Sequence, residues 1–167
     1  MVRPFIALLS LAGIAACGGG PTVVGGPFPG DPANATYELD GTSVTLEKGM
    51  HEVKTGSGVD DVVATDLTQI RSDADFDSDG STDCAVVVTR DDGPLKVHYL
   101  AVITNAGRIT TARLGKNVLV DRLSPHPKGG VAVKMLGRDD GVPEDMPPTI
   151  TIEKRFELKN GALAEAK

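Results

Sequence analysis

From Tyr37 onward the chain alternates hydrophobic and polar positions with a period of two, the repeat of a strand with one face buried. Tyr37 and Leu39 alternate with polar neighbours, Asp40-Gly41 supplies turn chemistry, and Val44 and Leu46 resume the alternation before Lys48-Gly49. An Asp-Gly pair between two alternating runs predicts a hairpin. Val62 to Arg71 is ambiguous: Val63, Leu67 and Ile70 have helical spacing, while the β-branched residues and threonines favour a strand or irregular ribbon. Ala85–Thr89 and Val97–Thr104 are apolar at both parities, as expected of central strands covered on both faces. Asn105-Ala106-Gly107 turns the chain into Arg108–Leu114, and Val118–Leu123 follows. After Ser124–Gly130, Val131, Val133 and Met135 occupy alternate positions. A Pro-rich acidic loop, Asp139 to Pro148, precedes Ile150, Ile152, Phe156 and Leu158, all of one parity, and Lys159-Asn160-Gly161 makes the last turn. Strands every 10–15 residues joined by turns predict an all-β, mainly antiparallel domain, a single compact β-sandwich or curved sheet. Val131, Val133 and Met135 are expected to share a core with Ile150, Ile152 and Phe156, with Lys134 and Glu153 directed outward.

The first 35 residues follow another pattern. Arg3 precedes a 13-residue apolar stretch, Pro4–Ala16, and Ile14-Ala15-Ala16 runs directly into Cys17. That stretch is shorter than the roughly 20 residues a membrane-spanning helix needs. An apolar residue, two small residues and then Cys form a bacterial lipobox: the thiol is acylated, and cleavage makes Cys17 the new N-terminus. An ordinary secretory signal with an incidental cysteine is the alternative. Gly18 follows Cys17 with no Asp to retain the chain at the inner membrane, so the expected location is the cell envelope. There the chain would be lipid-anchored at the outer membrane, facing the periplasm or the cell surface. Gly18 to Ala35 holds six Gly and four Pro without periodicity and reads as a tether. The expected organisation is a signal peptide over 1–16, a lipidated cysteine and tether over 17–35, and one β-rich domain over 36–167, with little helix outside the signal peptide.

Composition narrows the partners. The chain of 167 residues carries formal charge −6, and no basic patch appears, which argues against nucleic acid. Aromatic residues make up 4% and Trp is absent, so Val, Ile and Leu must build the core. With Cys17 acylated, Cys84 has no disulfide partner. It opens the apolar run Cys84–Val88 beside Asp83, a setting for a buried small hydrophobe rather than a thiolate.

One segment carries chemistry. Residues Asp75–Asp83 read DxDxDGxxD. Alternate carboxylates in a tight loop direct hard oxygen ligands at one centre, and Gly80 allows the turn that gathers them. Asp75, Asp77, Asp79, the Ser81 carbonyl and Asp83 form a ligand set suited to Ca²⁺. Positions one, three, five, six and nine match an EF-hand loop. Val86 replaces the bidentate Glu of position twelve, and the chain enters a strand instead of a helix. Without that ligand the expected affinity is modest, on the order of 10⁻⁴–10⁻³ M. The alternative is an acidic loop that is merely solvated, in which four like charges repel one another.

This departure resembles the calcium loops of FG-GAP and VCBS-type repeats, in which DxDxDGxxD precedes an apolar strand. More widely, ADFDSDGSTDCAVVV, VHYLAVITNAG, LGKNVLVDRLSPHPKGGVAVKML and PEDMPPTITIEKRFELKNG together resemble a family of small bacterial lipoproteins without assigned activity. The similarity covers roughly residues 36–161. Ala74 and Ser78 stand where that family usually has Gly, and His98 where it often has an aromatic residue. The resemblance implies the metal loop and supports the fold, and it implies no enzyme.

The three histidines, His51, His98 and His126, are far apart and lack zinc-ligand spacing. No nucleophile elbow, phosphate-binding loop or paired catalytic carboxylate is present. The expected function is a lipid-anchored envelope protein with a structural calcium loop, acting as a binding or structural module for an unknown protein or glycan partner. The other reading is a metal-dependent envelope hydrolase using the Asp-rich loop, which would require a pocket joining His98 to that loop.

Overall fold

A computed structural model describes residues 29–58 and 61–166; the lipobox, Cys17 and most of the tether lie outside them. In chain order the strands are β1 (Thr36–Leu39), β2 (Thr42–Thr45), β3 (Met50–Lys54), β4 (Val62–Ala74), β5 (Asp83–Asp92), β6 (Leu95–Ile103), β7 (Ile109–Lys116), β8 (Leu119–Pro125), β9 (Val131–Gly137), β10 (Ile150–Lys159) and β11 (Ala162–Ala166). They form a β1-β2 hairpin, a five-stranded sheet ordered β3-β4-β5-β6-β7 and a four-stranded sheet ordered β11-β10-β9-β8. All pairings are antiparallel. The fold is all-β, as the alternation predicts.

The double-sided strands explain how the layers stack. Cys84, Val86 and Val88 of β5, with Val97, Tyr99, Ala101 and Ile103 of β6, meet Tyr37, Leu39, Val44 and Leu46 of the hairpin. The opposite parity, Ala85, Val87, Leu100 and Val102, meets Val131, Val133, Met135 and Phe156 of the four-stranded sheet. The five-stranded sheet is thus the middle of three layers. Ile152 packs into the second core with Val133 and Met135, while Glu153 is exposed and Lys134 half-buried.

Two local features differ from simple alternation. Five residues of β4, Leu67 to Arg71, lie opposite only three of β5, Val88 to Val86, a bulge that breaks the alternation and accounts for the ambiguous sequence pattern there. Packing also begins before Thr36. Asp31 caps a 3₁₀ turn, Pro32–Asn34, and the Tyr37 hydroxyl donates to the Pro32 carbonyl at 2.7 Å. The Gly49 N–H reaches the Ala33 carbonyl at 2.8 Å. These tertiary bonds hold residues that composition alone assigns to the tether. At the hairpin tip Asp40 and Gly41 both have positive φ, 50° and 77°, the type I′ geometry that suits the twist of the flanking strands.

Candidate metal centre

The Asp-rich segment connects β4 to β5. The ladder closes at Ala74 opposite Asp83, so residues 75–82 must reverse the chain between them. Gly80 does this at φ 88°, with open space around its Cα, so its backbone conformation rather than its small size is what the turn uses. Ser78 adopts the same left-handed region at φ 65°.

Carboxylates and backbone N–H groups curl the loop. Asp75 accepts from the N–H groups of Asp79 at 3.1 Å and Gly80 at 3.0 Å. Asp77 also accepts from Asp79 N–H at 3.1 Å. Two further residues fix the loop to the fold. The Phe76 side chain, between the two acids, is buried in the core between the sheets. Asp83 is fully buried; its Oδ2 accepts from Phe76 N–H and its Oδ1 from Asn105 N–H, each at 2.9 Å.

Asp75, Asp77 and Asp83 each present a carboxylate oxygen within 4.8 Å of the others, and together they can hold a metal ion. The donors are all hard oxygens. Ligands placed at 2.3–2.6 Å on opposite sides of Ca²⁺ lie about 5 Å apart, so that spread suits an oxygen-ligated cation. Burial raises the Asp83 pKa, partly countered by the N–H bonds from Asn105 and Phe76. The Asp77 pKa is raised as well, first by burial, with the charges of Asp79 and Asp75 adding to it. A cation among these groups would favour their charged forms.

The five sequence-predicted ligands therefore divide. Asp79 stands outside the converging trio, its Oδ1 accepting the Ser81 N–H at 2.7 Å, and Ser81 is half-buried beside it. Sequence reasoning missed Phe76 and Asn105, the residues that hold the cluster to the core. Asn105 is 22 positions from Asp83 and carried only a turn signal.

The remaining candidates are dispersed. His98 pairs with Thr89, six residues along β5 from Asp83 and roughly 20 Å away at ~3.4 Å per residue. A hydrolytic reading requires a pocket joining His98 to the loop, and that pocket would have to bridge this separation. Burial lowers the His98 pKa, and its buried Nδ1 has no hydrogen-bond partner among the described residues. His126 lies in the β8–β9 turn, where its Nδ1 accepts the Lys128 N–H at 3.1 Å. His51 sits on the edge strand β3. Cys84 is free and fully buried, and burial first of all pushes its thiol up to about 12, so it packs as a small hydrophobe. No protein-family model, curated protein or solved structure matches the chain.

Proposed function

We propose that this chain is a lipid-anchored bacterial envelope protein whose β domain serves as a binding or structural module, locked by Ca²⁺ in the Asp75–Asp83 loop. The observation carrying the reading is the convergence of Asp75, Asp77 and Asp83 on one point, in a loop fastened to the core by Phe76 and Asp83. Asp75, Asp77 and Asp83 would hold the ion, with Asp79 and the Ser81 carbonyl completing an all-oxygen set. When bound, the cation supplies charge neutralisation among four aspartates within nine residues, and nothing in the proposed role asks it to activate a water. The membrane attachment rests on Ile14-Ala15-Ala16-Cys17, and the similarity to small bacterial lipoproteins without assigned activity supports the same location.

A thermal-melting comparison in calcium and in chelator tests the metal site. Binding to the folded state alone stabilises by about 2.7 kcal/mol when calcium exceeds Kd a hundredfold. For a domain of this size that is a rise of several degrees in Tm. Asp77→Ala is expected to abolish the rise while leaving the chelator-state Tm close to wild type. An unmoved wild-type Tm in millimolar calcium overturns the calcium assignment.

A further inference from the structure

The two edges of the five-stranded sheet are unequal. At one edge, β7 packs against β1 and β11. At the other, β3 has β4 as its only sheet neighbour among the described residues. The Gly49 carbonyl accepts the Leu67 N–H at 2.8 Å, and the Thr55 N–H donates to the Asp61 carbonyl at 2.8 Å. Backbone direction alternates along an antiparallel strand, so the odd-numbered residues of β3 bond to β4 and the even-numbered ones face outward. Met50 is already matched, because it exchanges backbone hydrogen bonds with Glu47 at 3.2 and 2.9 Å. Glu52 and Lys54 therefore carry the open N–H and C=O groups of this edge, the kind of groups to which another strand adds.

The side chains select which strand. Glu52, Val53 and Lys54 are all exposed, Val53 at 46%. Opposite charges flank Val53, so the segment is complementary to itself when run antiparallel about that residue. Glu52 then lies opposite the second copy's Lys54, Lys54 opposite its Glu52, and Val53 opposite its Val53. The open backbone groups of Glu52 and Lys54 meet as hydrogen-bonded pairs in this register, and each ion pair repeats across the two-fold axis. Moving the axis to Glu52 or to Lys54 sets like charges opposite each other, which is unfavourable. On the other face, Val53 and its β4 partner Val63 form an apolar strip that a second Val53 would extend and cover.

We propose that two copies of this chain pair antiparallel through β3, with Val53 on the two-fold axis, so that one continuous sheet runs across both. A single short strand buries little surface, which makes this a weak, concentration-dependent dimer. The same charges that fix this register oppose addition of strands whose charges do not match.

Sedimentation velocity of the full chain from micromolar to millimolar concentration tests the pairing. Wild type should dimerise reversibly. Glu52→Lys and Lys54→Glu each put like charges opposite one another, and each should weaken dimerisation roughly tenfold or more. Mixing the two variants should restore it, because each supplies the charges the other lacks, and the restored dimer shows that both are folded. Register is read by oxidation in a Cys17→Ser background, where Cys84 is buried. Val53→Cys should crosslink, since residues opposite each other in a non-hydrogen-bonded pair have Cα atoms ~4.5 Å apart. Met50→Cys should not, because this register places it about 20 Å from its own copy at ~3.4 Å per residue. No association at millimolar concentration, association that both single variants retain, a mixture that stays monomeric, or equal crosslinking at the two positions each overturns the proposal.

Discussion

The Asp83 carboxylate bonds the backbone N–H of Asn105 at 2.9 Å, joining the metal loop to the β6–β7 turn. Its second oxygen holds the Phe76 N–H at 2.9 Å, so one buried side chain fastens three segments. Asp83 is thus both a candidate ligand and a structural clamp. Removing it would leave the buried Phe76 N–H and the part-buried Asn105 N–H without this partner whether or not a cation is present.

Asp83→Ala is therefore expected to behave differently from Asp77→Ala. Each orphaned donor costs about 1–3 kcal/mol, so Tm should drop even in chelator. Asp77, which is exposed, should affect only the calcium response. Melting curves of both variants, with calcium and with chelator, check this. If Asp83→Ala matches wild type in chelator, the clamp role is wrong.

Most of the architecture was legible because turn chemistry and strand parity are local. Asp40-Gly41 marked a hairpin, and the two-sided apolar runs of β5 and β6 marked strands covered on both faces. The identity of the covering layers was not legible. Nothing in Cys84–Val88 says that one parity faces a two-stranded hairpin and the other a four-stranded sheet. The packing of Asp31–Ala35 was hidden for a similar reason, since its partners Tyr37 and Gly49 act through tertiary bonds. At the candidate site the sequence named the aspartates, but the turning of Asp79 toward Ser81 and the Asn105 contact depend on loop conformation and strand register.

The neighbours Val133 and Lys134 on β9 should separate core from surface. Val133 is fully buried between the sheets, and Val133→Asp would place an unpaired charge there, enough to unfold a marginally stable domain. Lys134 pairs in register with Arg122 and Glu153 on the outward parity, and Lys134→Asp should stay within about 0.5 kcal/mol. Urea denaturation of both variants measures the contrast, and equal losses would contradict the assigned faces.

The anchor is checked by metabolic palmitate labelling. Wild type should incorporate label, and Cys17→Ser should not, leaving uncleaved or unanchored protein because acylation precedes cleavage at a lipobox. Label in both forms, or in neither, removes the lipid from the proposed function.

His98 gives the fold a pH dependence of defined sign. Its pKa is lowered in the folded state, first by burial, with the nearby Lys96 charge acting in the same direction. The unfolded chain, with an ordinary histidine pKa near 6.5, therefore binds this proton at higher pH than the folded one does. Above about pH 7 the imidazole is neutral in both states and the effect vanishes. As pH falls through 6.5 toward the folded-state pKa, protons bind the unfolded chain preferentially and stability declines. Urea midpoints measured from pH 7.5 down to pH 5.5 should fall for wild type, and more shallowly for His98→Gln, which cannot take up the proton. Parallel slopes would show that His98 titrates alike in both states, and that its burial does not set the acid limit of the fold.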